Sequence, residues 1–81
     1  MVKDAYNFNL LKQKRIERGI SILDMANKLC LAERQILSIE ENRSEHFPSP
    51  ILKLVCVRRY AKALELDIYD VIPNIEQFLK D

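Results

Sequence analysis

Glycine occurs once in 81 residues, tryptophan not at all, proline three times, cysteine twice and histidine once. Each scarcity removes a class of explanation. A single glycine, Gly19, leaves no glycine-rich loop to cradle a phosphate. Two cysteines, Cys30 and Cys56, with one histidine, His46, are too few for a structural zinc site or a disulfide framework, so both thiols are expected to be reduced. No nucleophile stands in a pattern with a base and an orienting acid, so no enzymatic activity, metal or cofactor is expected. The longest apolar run is four residues, and residues 1–9 lack a charged stretch followed by an apolar one. The chain is therefore expected neither to span a membrane nor to be secreted, and to work in the cytoplasm. Charge of one sign is lacking too: thirteen Lys and Arg face twelve Asp and Glu, a net charge of +1. A global basic field is excluded, and any binding of nucleic acid must be local.

What is present is a globular balance of 48% apolar and 31% charged residues over a length that holds one small domain. Ordering such a chain costs on the order of 100 kcal/mol of conformational entropy, so nearly every apolar position must serve a compact core. The few punctuation residues divide the chain into helices. Phe8, Leu11, Arg15 (through its stem) and Ile16 recur at helical spacing up to Arg18, and Gly19 follows as a stop residue able to take positive φ. Ser21 opens a second helix with Asp24 three residues on, and Met25, Ala26 and Leu29 form its inner face. After a short Cys30-Leu31 connection, a third helix from about Ala32 to Asn42 turns Ile36 and Ile39 inward, with Leu37 and Glu40 nearby. Arg43 to Pro50 reads as a loop that ends with Ser49 as cap and Pro50 at the first position of a fourth helix running to about Leu66. Asp67 caps a short fifth, and Pro73 starts a last turn in which Ile75, Phe78 and Leu79 share a face. No segment alternates with period two for long enough to make a strand. The expectation is an all-α fold of five short helices over residues 8–72, with 73–81 as a helical turn on the fourth.

Three short helices joined by a glycine turn and a tight connection have the anatomy of a helix-turn-helix. Leu11, Arg15, Gly19, Ser21, Met25-Ala26, Leu29, Leu31, Ile36 and Ile39-Glu40 resemble the pattern of the phage repressor and Cro (XRE) superfamily of helix-turn-helix domains. A closer resemblance spans roughly Asn9 to Ile75. There Lys28-Leu29-Cys30-Leu31, Gln35-Ile36, Ile39-Glu40-Glu41, Phe47-Pro48 and Arg58-Arg59-Tyr60-Ala61-Lys62-Ala63-Leu64 are similar to the cytoplasmic amino-terminal domain of the RodZ family. The resemblance implies a phage-repressor-like fold and a salt bridge between Arg15 and Glu40 across the first and third helices. For RodZ itself it also implies a contact with the actin-like protein MreB through aromatic residues of the last long helix. The chain departs from the family there, with Leu52 and Cys56 where Phe and Tyr are favoured and Val55 where Gly is.

Two functional surfaces follow. If the third helix reads duplex DNA, Glu33, Arg34, Gln35 and Ser38 form its outer surface, Arg and Gln being suited to bidentate contacts with base edges. Lys12, Lys28 and Arg43, among other surface cations, would lie along the phosphate backbone. The leading expectation is a small DNA-binding transcriptional regulator. The rival is a protein-interaction module of the RodZ type, with Leu52, Val55, Cys56, Arg59 and Tyr60 facing an actin-like filament. Apolar residues occupy two faces of the fourth helix: Leu54, Val57, Ala61 and Leu64 are expected in the core, and Leu52, Val55, Cys56 and Ala63 opposite. The carboxyl-terminal segment, through Ile75, Phe78 and Leu79, is the expected cover of that second face, with a partner protein or a homodimer as the alternatives. Tyr60 is expected as an amphipathic edge residue and His46 as a surface residue.

Overall fold

A computed structural model describes residues 6–75, and among them there are five helices and no strand. They are α1 (Phe8–Glu17), α2 (Ile22–Leu29), α3 (Glu33–Glu40), α4 (Pro50–Ala63) and α5 (Ile68–Val71). Helix α3 packs on α1 and α2, α4 packs on α2 and α5, and α5 closes back on α1. None of the described helices is long and apolar enough to cross a membrane.

Side-chain caps set most of the helix starts. Asn7, Ser21, Ser49 and Asp67 each accept a backbone N–H of the first turn, from Leu10, Asp24, Leu52 and Tyr69 respectively. Pro50 fills the first position of α4, where a missing N–H leaves nothing unsatisfied. The ends of α1 to α4 use left-handed backbone. Gly19 (φ 69°) adopts it without a Cβ penalty, and Asn42 (φ 56°) tolerates it. Cys30 (φ 57°) and Glu65 (φ 59°) adopt it at a cost, to turn the chain sharply out of α2 and α4.

The core draws on every element. Leu11, Met25, Ile36, Ile39, Val57, Leu64, Val71 and Ile72 are wholly buried. Two aromatic residues outside the helices join them: Phe47 from the α3–α4 loop, and Tyr6, whose hydroxyl donates to the Ile39 carbonyl at 2.6 Å. Ile16, expected on the inner face of α1, is 57% exposed. It follows Arg15, and the buried stripe of α1 passes through Leu11 and Arg15 instead. Ile75 is buried, whereas the expected docking of Phe78 and Leu79 lies outside the described residues.

Of the α4 residues expected in the core, Val57, Ala61 and Leu64 are buried, but the inward arc is shifted away from Leu54. Tyr60, read as an edge residue, is completely buried, and Cys56, placed on the outer face, is 6% exposed. The inward arc runs through Lys53, Cys56, Val57, Tyr60, Ala61 and Leu64, a regular three-and-four spacing. Leu54 and Ala63 sit at its flanks, half-buried, while Ile51, Leu52 and Val55 remain exposed. Burial pushes the Cys56 thiol up and keeps it protonated, against the opposing charge of Arg59.

At the centre lies a charged cluster. Arg15 Nε donates to Glu40 Oε2 at 2.6 Å and Nη2 donates to Oε1 at 3.2 Å, a forked pair whose side chains are 10% and 2% exposed. Arg15 Nη1 donates to the Ile20 carbonyl at 2.8 Å, and the Tyr60 hydroxyl donates to Glu40 Oε2. Three helices thus meet on one carboxylate.

Removing one partner from such a pair strands the other charge away from water. Arg15→Met is expected to lower unfolding free energy by about 3–5 kcal/mol, and Arg15→Met/Glu40→Met by less than that single change, read by urea denaturation. A loss in the double change equal to the sum of the Arg15→Met and Glu40→Met losses would mean that the two charges are not coupled.

Alkaline pH tests the same region. Burial raises the hydroxyl pKa of both Tyr6 and Tyr60 well above the ordinary 10.0, with the Glu40 carboxylate adding to the rise at Tyr60. Above pH 10 the unfolded chain releases these protons and the folded one does not, so stability is present below 10 and lost as pH rises. Each tyrosine contributes about 1.4 kcal/mol per pH unit to that loss. Lys53, held below the ordinary 10.5 by burial, acts with opposite sign: stability rises as pH passes its folded value. Steep cooperative unfolding is expected above pH 10. In a Tyr69→Phe chain, which removes the exposed tyrosine, tyrosinate absorbance and helix content should change together, and a further Tyr60→Phe should make the fall shallower. Ionisation of Tyr6 or Tyr60 in a Tyr69→Phe chain that keeps its helices would contradict this.

Candidate nucleic-acid interface

The α2–α3 pair is joined by Cys30, Leu31 and Ala32. The left-handed Cys30 ends α2, and the Leu31 N–H returns to the Ala26 carbonyl at 2.9 Å, which locks the turn. Ala32, at the N-cap of α3, has no side-chain acceptor; Gln35 compensates from within, its Oε1 accepting the Ala32 N–H at 3.0 Å. Ile36 and Ile39 then pin one side of α3 into the core, which sets what the other side offers.

That solvent side carries Glu33, Arg34, Leu37 and Glu41. Two of the residues expected on it are elsewhere engaged. Ser38 is completely buried, one position before Ile39, and its carbonyl takes the Arg43 N–H at 2.8 Å. It is not a surface residue. Its hydroxyl finds no hydrogen-bond partner, which makes Ser38 a small space-filling residue at this position. Gln35 is half-buried, and both ends of its amide are occupied, Oε1 by Ala32 and Nε2 by the His46 carbonyl at 3.2 Å. Reading a base edge would require giving up a helix cap and the tether to the following loop.

The cations differ in the same way. Lys12 and Lys28 are exposed and form no ion pair among the described residues. Arg43 is exposed but bracketed, with Nε 3.4 Å from Glu41 and Nη2 3.4 Å from Glu45. These are exposed pairs, which hold the guanidinium only weakly. Arg34 is the one guanidinium on the outer face of α3. On the outer side of α4, Leu52 and Val55 are exposed at 42% and 41%, and Arg59 is exposed with Nη2 on the Leu29 carbonyl at 2.9 Å. Cys56 and Tyr60, expected with them as partner residues, instead face the core.

One functional neighbour escaped the sequence pattern. Lys53 is 5% exposed: its Nζ donates to Asn42 Oδ1 at 3.3 Å and Ser44 Oγ at 3.2 Å, and lies 5.2 Å from the centre of the Tyr6 ring. It ties α4 to the end of α3, to the loop and to the segment before α1. A lysine in an apolar helix normally reads as a solvent-exposed position, and only the Asn42-x-Ser44 acceptors eleven and nine residues upstream mark this one.

No curated protein and no solved structure matches the chain. A family model described as "Helix-turn-helix domain" matches residues 10–71, the span from α1 to the end of α5. With α2 and α3 joined by a three-residue turn inside that span, the chain belongs to the helix-turn-helix domain family.

Proposed function

We propose that this chain is a small duplex-DNA-binding protein of the regulatory kind, acting in the cytoplasm and without catalytic activity. The observation that carries the reading is the α2–α3 pair itself. It stands on a rigid turn, with Arg34 free on the outer face of α3 and Lys28 exposed on α2. In this arrangement Arg34 supplies base discrimination, and Glu33 offers an acceptor to a cytosine amino group. Lys12 and Lys28 contact the phosphate backbone. The resemblance to phage repressor and Cro domains supports this assignment of roles.

A second reading has its own observation. Gln35 and Ser38 are withdrawn from the outer face of α3, while α4 exposes Ile51, Leu52 and Val55 along one side. A protein-interaction module of the RodZ type, facing an actin-like filament, would use that side of α4.

Fluorescence anisotropy with random-sequence duplex separates the two. With about two to four phosphate contacts per protomer, the logarithm of the binding constant should fall against the logarithm of salt with a slope of about −2 to −4, and two protomers on a two-fold site would double it. Lys28→Ala should weaken binding to all sequences alike. Arg34→Ala should relax preference for a selected site by about 1–3 kcal/mol. Absence of binding at about 50 mM salt, where the phosphate attraction is strong, would reject the DNA reading in favour of the α4 surface.

A further inference from the structure

We propose that the cleft between α4 and α5 docks an acidic peptide segment of a partner protein, which inserts apolar side chains between the two helices. The cleft has a volume of about 680 Å³, within the range of ligand-holding clefts. Its floor is apolar, formed by Ala61, Leu66, Ile68 and Ile75, and its α4 rim is cationic, formed by Arg58 and Lys62. A smaller hollow of about 200 Å³ adjoins it on the other side of the same two residues, lined also by Val55 and Arg59. Arg58 and Lys62 therefore stand on a ridge between two depressions.

The charge pattern is unexplained by the fold. Arg58 and Lys62 are four residues apart and Arg59 and Lys62 three apart, so like charges neighbour one another on the helix surface, which destabilises it. No carboxylate among the described residues forms an ion pair with any of the three. Arg59 has the Leu29 carbonyl, a neutral partner. Glu65, the one acid lining the cleft, reaches outward to Arg18 at 3.9 Å. In a chain with thirteen cations and twelve anions, this concentration of positive charge is local, and no described carboxylate answers it, so the cleft presents a cationic rim to an anionic partner. The apolar floor decides the class of partner. A phosphodiester backbone has nothing to place on Ala61, Leu66 and Ile68, and a bilayer surface is too flat to enter a cleft. A peptide that alternates carboxylates with apolar anchors satisfies both the rim and the floor.

The test uses the full chain, isotope-labelled, titrated with a short synthetic peptide in which glutamates flank a pair of leucines. The control peptide has serine for each leucine. Saturable amide shifts are expected around Ala61, Lys62, Leu66 and Ile68, weakened at least about tenfold by Arg58→Glu/Lys62→Glu, unchanged by Lys12→Glu, and absent with the serine control. If the doubly reversed chain does not fold, Arg58→Gln/Lys62→Gln carries the same comparison. Lack of saturation, equal binding of the serine control or shifts centred outside the cleft would overturn the proposal. So would stronger perturbation of the same amides by phosphatidylglycerol vesicles or by duplex DNA. Self-association abolished by Arg58→Glu would name a second copy as the occupant, and binding only after removal of residues 76–81 would name the chain's own end; either result overturns it. Because Lys28 and Arg34 take no part, failure here leaves the DNA reading standing, and the converse holds.

Discussion

A carboxylate taken out of water needs donors for its lone pairs, and those of Glu40 come from two other helices. Arg15 of α1 supplies a fork of two N–H groups and Tyr60 of α4 supplies a hydroxyl, while the third Arg15 nitrogen reaches the Ile20 carbonyl in the turn before α2. The geometry leaves little freedom in how α1, α3 and α4 sit together. Burying a charge pair is weak evidence for stability, because desolvation opposes the attraction. Its consequence is orientation: a rotation of α3 about its own axis would pull Glu40 off its donors. The direction in which Arg34 and Leu37 face is thus fixed from the opposite side of the same helix.

The same constraint divides the outer surface of α3 into two parts with different fates. On one side Gln35 and Ser38 are drawn toward the segment after α3, which Phe47 plugs into the core and Lys53 holds through Ser44 and Asn42. On the other side Glu33, Arg34, Leu37 and Glu41 stay in solvent. A helix-turn-helix domain whose third helix is half covered by its own loop offers few contacts to a base pair. That is why Arg34 carries so much of the proposed recognition, and why α4, with its exposed aliphatic residues and its cationic end, competes as a binding surface.

Local chemistry was legible where it depends on neighbours in the chain. Ser21, Ser49-Pro50 and Asp67 mark the starts of α2, α4 and α5, and Asn42 closes the turn after α3, because capping and left-handed backbone are decided within a few residues. The phase of α4 is legible only in part: Val57, Ala61 and Leu64 are buried as expected, whereas Cys56 and Tyr60 are buried against expectation. Apolar residues at 52, 54, 55, 56, 57 and 60 lie all round the helix, and periodicity alone cannot choose among such faces. The choice is made by Glu40, which draws Tyr60 inward and carries Cys56 and Lys53 with it. Tyr6 and Phe47 were missed for a related reason: each lies outside a periodic segment, and its burial depends on partners far along the chain, Ile39 in the case of Tyr6. Spacing alone turns Ser38 and Gln35 outward, because the pattern of α3 carries no information on where the following loop returns. Lys53 had no signal beyond two distant polar residues.

Amide hydrogen exchange of the whole chain, with and without excess duplex carrying a selected site, tests most directly whether the helix-turn-helix pair is the DNA-binding surface. Slowed exchange is expected over residues 21–24 at the start of α2, over the Cys30–Ala32 turn and through Glu33–Leu37, with α4 unchanged. Protection centred on residues 51–62 of α4, or no protection anywhere under conditions that keep the duplex intact, would contradict the account.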